Sequence, residues 1–410
     1  MSSFNQQLTS SRQIRLRSGV ALAALTLGSV SVAQAGATFK IDDTKWVSVG
    51  VGLRTSFTAQ EDAAGANGNK WNNDFNLDNI RLYINGQIHK YLKVEFNTDC
   101  QTCGNGGEVR VLDAIGKFEV EPEYNLWVGR MLVPAERREM NGPFYSAIYN
   151  TFAAGTPFDP ADFNVVIQDN GTSAGSYGRD DGTTFWGAAF DGRFQYAVGF
   201  FRGLRGGANA NDNVLYAQRF AYNFWDVEKN PGYYTSGTYY GKGGDILTLG
   251  VSNQYQQDGA GTASDPGNFR GTAVDVLMEK VLPGGGVVTM NGEYKNYNIS
   301  DGYSLASRDA GGGFAMFEGN ALDASAMYLF PQKVWIGQFQ PFVRYVYVDP
   351  STSSNRDVYE GGVNYIIDGH NANISLSYQY GDLLTKGLNY KSTATGDNVS
   401  QMMLGFQWQI

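Results

Sequence analysis

Histidine and cysteine are nearly absent, with two of each in 410 residues, and only 17% of the chain is charged. Two cysteines cannot build a disulfide scaffold, and without further ligands beside them they fall short of a zinc site. Two histidines leave little room for imidazole-based acid–base or nucleophilic chemistry. Beyond the N-terminus no run of about 18 uninterrupted apolar residues occurs, which excludes a membrane protein built from helices; the mean hydropathy of −0.32 agrees. Soluble enzymes carry about 25% charged residues and abundant helix formers, so an α-helical or α/β enzyme does not fit either. The chain is rich instead in glycine (52), tyrosine (25) and phenylalanine (24). A transmembrane β-barrel tolerates this composition, because only every second residue of its strands has to be apolar.

Residues 1–35 have the form of an export leader. Arg12, Arg15 and Arg17 form a basic start, Val20 to Val32 is apolar with small residues, and Ala33, Gln34 and Ala35 fit an A-x-A cleavage pattern. Removing the leader takes away three arginines and no carboxylate, leaving 28 basic against 40 acidic residues, a net charge of −12. An acidic exported protein of this kind is not a nucleic-acid binder.

From residue 36 to 410 the chain reads as one all-β domain. Val47, Val49, Val51 and Leu53 alternate with Ser48, Gly50, Gly52 and Arg54, the period-2 pattern of a strand with one apolar and one polar face. The pattern recurs in Ile80, Leu82 and Ile84, in Leu92, Val94 and Phe96, and in Ile374, Leu376 and Tyr378; Asp191-Gly192 and Asp368-Gly369 mark hairpin turns. Sixteen strands are expected near 46–58, 76–88, 91–99, 108–120, 123–133, 183–190, 193–202, 214–226, 244–256, 270–282, 286–298, 320–331, 341–349, 356–367, 371–382 and 399–410. Long connections, including 59–75, 134–182 and 257–269, alternate with short ones, the asymmetry of extracellular loops and periplasmic turns in an outer-membrane barrel. Segment 227–243 breaks this rule, being long on the periplasmic side. Prolines fall at strand ends or between strands; Pro341 is expected as the first residue of its strand, since a closed barrel has no free edge.

The segments FNLDNIRLYINGQI (75–88), LKVEFNTD (92–99), LDA (112–114), LWVGRMLVP (126–134) and GEY (292–294) carry a resemblance over nearly the whole mature chain. In pattern and order it resembles the phosphate-selective porin O and P family of sixteen-stranded outer-membrane porins. The resemblance implies a passive trimeric pore whose long third loop folds into the barrel and narrows it. Phosphate-selective members are known for basic pore linings and a lysine-bearing constriction, whereas this chain has no lysine between Pro134 and Gly182. Fold and channel activity are therefore carried over, and phosphate selectivity is not.

The third loop, 134–182, is too long to be structureless by accident, and a barrel of this size needs an inward loop to constrict it. Glu136, Arg137, Arg138 and Glu139 at its start and Arg179, Asp180 and Asp181 at its end are the candidate constriction residues. Strand parity places Arg54, Arg81, Lys93, Lys117, Arg219, Lys295 and Arg344 in the lumen with Glu95, Asp113, Asp275, Glu279, Glu293 and Glu360, two sets that nearly cancel. Cys100 and Cys103 are expected to form a disulfide across a small loop; haem attachment would need histidine where Gly104 stands. His89 and His370 fall in or beside periplasmic turns, away from the outer rim where barrel hydrolases act, so no enzymatic role and no cofactor is expected. The function expected is a porin for small hydrophilic solutes, a homotrimer in outer-membrane lipid and lipopolysaccharide of a Gram-negative bacterium. A sheath or receptor that binds a partner inside or above the barrel is the alternative.

Overall fold

A computed structural model describes residues 36–100, 108–151, 178–300, 304, 318–351, 354–383 and 398–410. Among the described residues there are seventeen strands: β1 (Ala37–Lys40), β2 (Trp46–Ala64), β3 (Lys70–His89), β4 (Leu92–Cys100), β5 (Arg110–Glu121), β6 (Tyr124–Leu132), β7 (Arg179–Ala189), β8 (Phe194–Phe201), β9 (Leu215–Asn223), β10 (Ile246–Thr262), β11 (Asp265–Val281), β12 (Val287–Ser300), β13 (Gly319–Leu329), β14 (Gln338–Pro350), β15 (Arg356–Asp368), β16 (Ala372–Gly381) and β17 (Val399–Gln409). Each of β2 to β17 pairs antiparallel with its neighbours in sequence, and β17 closes onto β2 through pairs such as Leu404↔Phe57 and Trp408↔Leu53. The result is a closed barrel of sixteen strands, whose continuous ladders leave no open sheet edge, as hydrocarbon requires. The short β1 continues the line of β17 along β2: Ala37–Lys40 pairs with Trp46 to Val49, just beyond the Val51–Ile410 bonds.

All sixteen expected strands are present, and the largest differences lie at their long-loop ends. Segments 59–75 and 257–269, read as loops, are largely hairpins, because β2–β3 and β10–β11 run on to Ala64↔Lys70 and Thr262↔Asp265. Beyond the apolar belt neither face of a strand has to be apolar, so the alternation that reveals a strand disappears while its ladder continues. Arg179, Asp180 and Asp181, expected at the end of the third loop, are the first residues of β7 for the same reason, opposite Leu132, Met131 and Arg130. Pro341 is the fourth residue of β14 rather than the first; it sits opposite Val363 on β15 and just outside the last β13 pair, Met327↔Phe342, with Phe330 N–H still bonded to Phe339 O beyond it at 2.9 Å.

The Asp191-Gly192 turn has φ of +57° and +85°, with Arg193 N–H bonded to the Phe190 carbonyl at 3.1 Å, the geometry that joins right-twisted strands in two residues. Outward positions are apolar and exposed, among them Val51, Val94, Val128, Val251, Val276, Leu322, Val343 and Leu376, with Trp225, Tyr359 and Trp408 toward strand ends. The opposite parity is polar and buried. Arg54, Arg81, Asp113, Lys117, Arg219, Asp275, Glu279, Glu293, Lys295, Arg344 and Glu360 all have that parity and are buried. These side chains are hidden because two connections fold inward: the start of the third loop, 133–151, and segment 224–245 between β9 and β10. Residues 1–35, expected to be an export leader, lie outside the described residues.

Candidate functional site

The third loop leaves β6 at Leu132 and forms one short helix, α1 (Arg137–Asn141), ended by Gly142 at φ +61°. Pro143 then starts a single 3₁₀ turn, Pro143–Tyr145, so the chain reverses without leaving the lumen. Backbone groups of this stretch bond to the wall across its course. Pro134 O accepts from Gln254 at 3.2 Å, Phe144 O from Gln407 at 2.9 Å, Ala147 O from Asn364 at 3.1 Å and Asn150 O from Arg344 at 2.6 Å. The Tyr149 hydroxyl donates to Asp78 at 2.6 Å, and Arg54 donates to the Tyr149 carbonyl with its guanidinium 3.9 Å over the Tyr149 ring. Strands β2, β3, β10, β14, β15 and β17 thus all hold one loop segment.

Charge does the rest of the anchoring. Arg137 makes a bidentate pair with Glu228 (2.8 and 2.6 Å) and lies 3.5 Å from Asp275. Asp275 in turn pairs with Arg219 through both carboxylate oxygens, and Arg219 also donates to the Ala135 carbonyl at 3.1 Å. Arg138 reaches Glu293 at 2.9 Å and Asp323 at 2.7 Å, while Arg344 donates to the same Asp323 at 2.6 Å and stands 3.5 Å from Glu360. Glu136 pairs with Lys295, whose ammonium is 3.6 Å from Glu293. Burial works against the Arg137 charge, but Glu228 and Asp275 hold its pKa above the ordinary arginine value. Burial likewise favours neutral Glu228, yet the Arg137 guanidinium pulls its pKa down to about 2. Burial pushes the Tyr145 phenol up to about 12.

On the β3–β7 side the pairs belong to the wall itself: Arg81–Asp99 at 2.8 Å, Lys117–Glu95, Lys93–Glu119 at 2.6 Å and Arg179–Asp113 at 2.8 Å. Here a cavity of about 130 Å³ remains, lined by the charged Arg81, Lys117 and Arg179 and by Trp127, Leu132, Tyr145 and Tyr234 among others. The space between the loop and β12–β14, lined by Arg138, Glu293, Asp323 and Arg344, is only about 40 Å³.

The residues expected at the constriction therefore divide. Glu136, Arg137 and Arg138 lie within the loop and are engaged with wall and segment partners; Glu139 is buried beside them on α1. Arg179 lines the cavity, Asp180 accepts from the Gly203 N–H at 2.5 Å, and Asp181 pairs with Arg130 at 2.8 Å near the rim. Strand parity overlooked Asp99, Glu119 and Asp323, although each shares its strand's lumenal parity. Glu228 carried no signal, because its segment has no periodicity. Cys100 closes β4 and is fully buried; Cys103 lies outside the described residues. His89 ends β3, whereas His370 is drawn inward from its turn, its Nε2 2.9 Å from the Thr238 carbonyl and 3.0 Å from Ser236 Oγ.

No family model matches the chain, and no curated protein does. Solved structures match it over nearly their whole length. The chain is similar to OmpT of Vibrio cholerae, expressed in the outer membrane, at 13% identity and a TM-score of 0.53, over 91% of this chain and 100% of that one. It is similar to an anion-selective porin from Comamonas acidovorans at 12% identity and a TM-score of 0.56, over 89% and 100%. It is also similar to Salmonella typhi OmpF solved with daunomycin, at 13% and 0.56, over 91% and 100%. At such identities the likeness establishes the fold: a sixteen-stranded barrel of the kind bacterial porins have.

Proposed function

We propose that the chain is an outer-membrane porin, a water-filled channel through which small hydrophilic solutes and ions diffuse passively. The observation that carries this reading is a polar, ion-paired lumen inside an apolar-belted closed barrel, crossed by an inward third loop. Space for solutes remains on the β3–β7 side, about 130 Å³, and between segment 227–235 and β7–β10, about 290 Å³; Arg137, Arg138 and Glu136 hold the loop to β11–β13. The protein is exported by its leader, sits in outer-membrane lipid and lipopolysaccharide, and assembles as a homotrimer. One of the V. cholerae OmpT structures is described as a trimer form. Stepwise conductance of the purified protein in planar bilayers tests the reading, and a protein that conducts only with a partner added would point to a sheath or receptor instead.

Phosphate selectivity is not part of the proposal. A selective anion site needs cationic groups whose field is not cancelled nearby, and the lumenal cations Arg81, Lys117, Arg137, Arg138, Arg179, Arg219, Lys295 and Arg344 each stand against a carboxylate, while Arg54 is engaged by Asn79, the Tyr149 carbonyl and the Tyr149 ring. Such pairs act as local dipoles whose field falls off within about 10 Å at 0.1 M salt. The expected zero-current potential under a tenfold KCl gradient is close to zero, with no block by millimolar phosphate. Strong anion selectivity with phosphate block would return the family's namesake function to this chain.

A further inference from the structure

The other connections at the short-turn end of the barrel run from two to eight residues, but β9 and β10 are joined by 224–245. The strands do not need that length. Their ladder continues past both ends, with Phe224 N–H bonded to Leu247 O and Asp226 N–H to Asp245 O, each at 2.8 Å. Positions 226 and 245 are thus already close enough for a two-residue turn. The residues between them are not a solvated loop, since Tyr233 and Thr238 are fully buried and Glu228 is almost so.

They cross the lumen instead. Gly232, at φ +64°, packs so closely on β6 that a Cβ there would stand 2.3 Å from the Trp127 ring, and the Tyr233 hydroxyl donates to the Leu132 carbonyl at 2.8 Å. Next the segment grips the third loop. Glu228 takes both Arg137 Nη groups, Thr235 Oγ1 bonds Arg137 O at 2.8 Å and Asn141 Oδ1 at 2.6 Å, and the Gly237 N–H donates to Tyr145 O at 2.8 Å. On the far side Thr238 Oγ1 and the Tyr239 and Gly241 amides converge on Glu279 of β11, at 2.7, 3.0 and 2.7 Å. One segment therefore reaches from β6 to β11 and fastens the loop on the way. Asn230, Pro231, Tyr234 and Thr235 also wall the 130 Å³ cavity opposite Lys117 and Arg179.

We propose that 227–244 is a second constriction element, entering the lumen from the short-turn side, bracing the third loop through Glu228 and Thr235, and setting with it the size limit for solutes. This rests on the porin reading. The third loop supplies one jaw of the opening and this segment supplies the other, so the pore is narrower than a barrel constricted by its third loop alone.

The test is to excise 227–244, join Asp226 to Asp245 through Asn-Gly, and compare single-channel conductance with the full chain. Conductance is expected to rise about two-fold or more, with larger polyethylene glycols entering the pore. Unchanged conductance in the folded, excised barrel overturns the proposal. Should the excised chain not fold, judged by loss of the heat-dependent shift in gel mobility, the full chain decides with Asn141→Cys and Thr235→Cys in a Cys100→Ser/Cys103→Ser background. A disulfide forming in the folded barrel without loss of conductance supports the brace, and no crosslink overturns it. A wild-type protein that forms no channel refutes the porin reading, and the same crosslink then decides whether the segment meets the loop.

Discussion

Replacing Asp275 by asparagine is expected to cost the folded barrel about 3–5 kcal/mol, the usual penalty for breaking a buried ion pair from one side. Asp275 is 1% exposed and holds both Arg219, through two carboxylate oxygens, and Arg137, at 3.5 Å. Removing its charge leaves the Arg219 guanidinium, 2% exposed, with the Ala135 carbonyl among its remaining partners. The loop should loosen as well, because Arg219 ties β9 to Ala135 at the loop's root. Urea unfolding in lipid vesicles, followed by tryptophan fluorescence, measures the cost. Pairing the change with Arg219→Met should recover much of it, since removing both buried charges together avoids the uncompensated one. A loss under about 1 kcal/mol for Asp275→Asn alone would mean that the pair is hydrated rather than buried.

The second large effect is a pH dependence centred on His370, in the turn between β15 and β16. Its ring is enclosed by Tyr145 and Tyr240, with centroids at 5.3 and 5.0 Å, and faces Ser236, Thr238 and Lys242. Nε2 donates to the Thr238 carbonyl, so a second proton must go to Nδ1, which is buried without a hydrogen-bond partner. Burial, with the like charge of Lys242 added, pushes the pKa down to about 4, despite the Thr238 bond. The sign follows from linkage: below the unfolded value near 6.5 the unfolded chain takes up a proton that the folded chain refuses. Stability should therefore fall as pH drops from about 6.5 to about 4, by on the order of 3 kcal/mol at about 1.36 kcal/mol per unit. His370→Asn should flatten that part of the profile, and identical profiles for the two proteins would sink the idea. Glu228 works in a lower window: its pKa is depressed to about 2, so its contribution is intact above about 4.5 and is lost only as pH falls toward 2.

The wall of the barrel was legible because the membrane imposes a rule on every second residue. Where Leu82, Val94 and Phe96 meet lipid, Arg81, Lys93 and Glu95 must face the other way, and the alternation exposes the strand and its lumenal face together. The rule stops at the edge of the apolar belt. There β2–β3, β10–β11 and the start of β7 continue as polar strands that their composition does not betray. Asp99, Glu119 and Asp323 were within reach of the parity rule. Glu228, Thr235 and the inward-drawn His370 were not, because each matters through a partner that is distant in sequence and lies on an element with no period of its own.

Composition and alternation by themselves determined an all-β, sixteen-stranded barrel with a polar interior and a long third loop, because the two solvents of a barrel wall write a repeating pattern into the chain. Only the tertiary structure decided what fills the interior. Arg137 and Arg138 look in the sequence like charges lining a constriction; folded, they are engaged by Glu228, Asp275, Glu293 and Asp323 as anchors. Segment 227–243, a break in the turn pattern when read along the chain, becomes part of the lumen when folded. Such pairings join residues about 90 to 185 positions apart, and no periodicity carries information over that separation; packing and buried charge settle them.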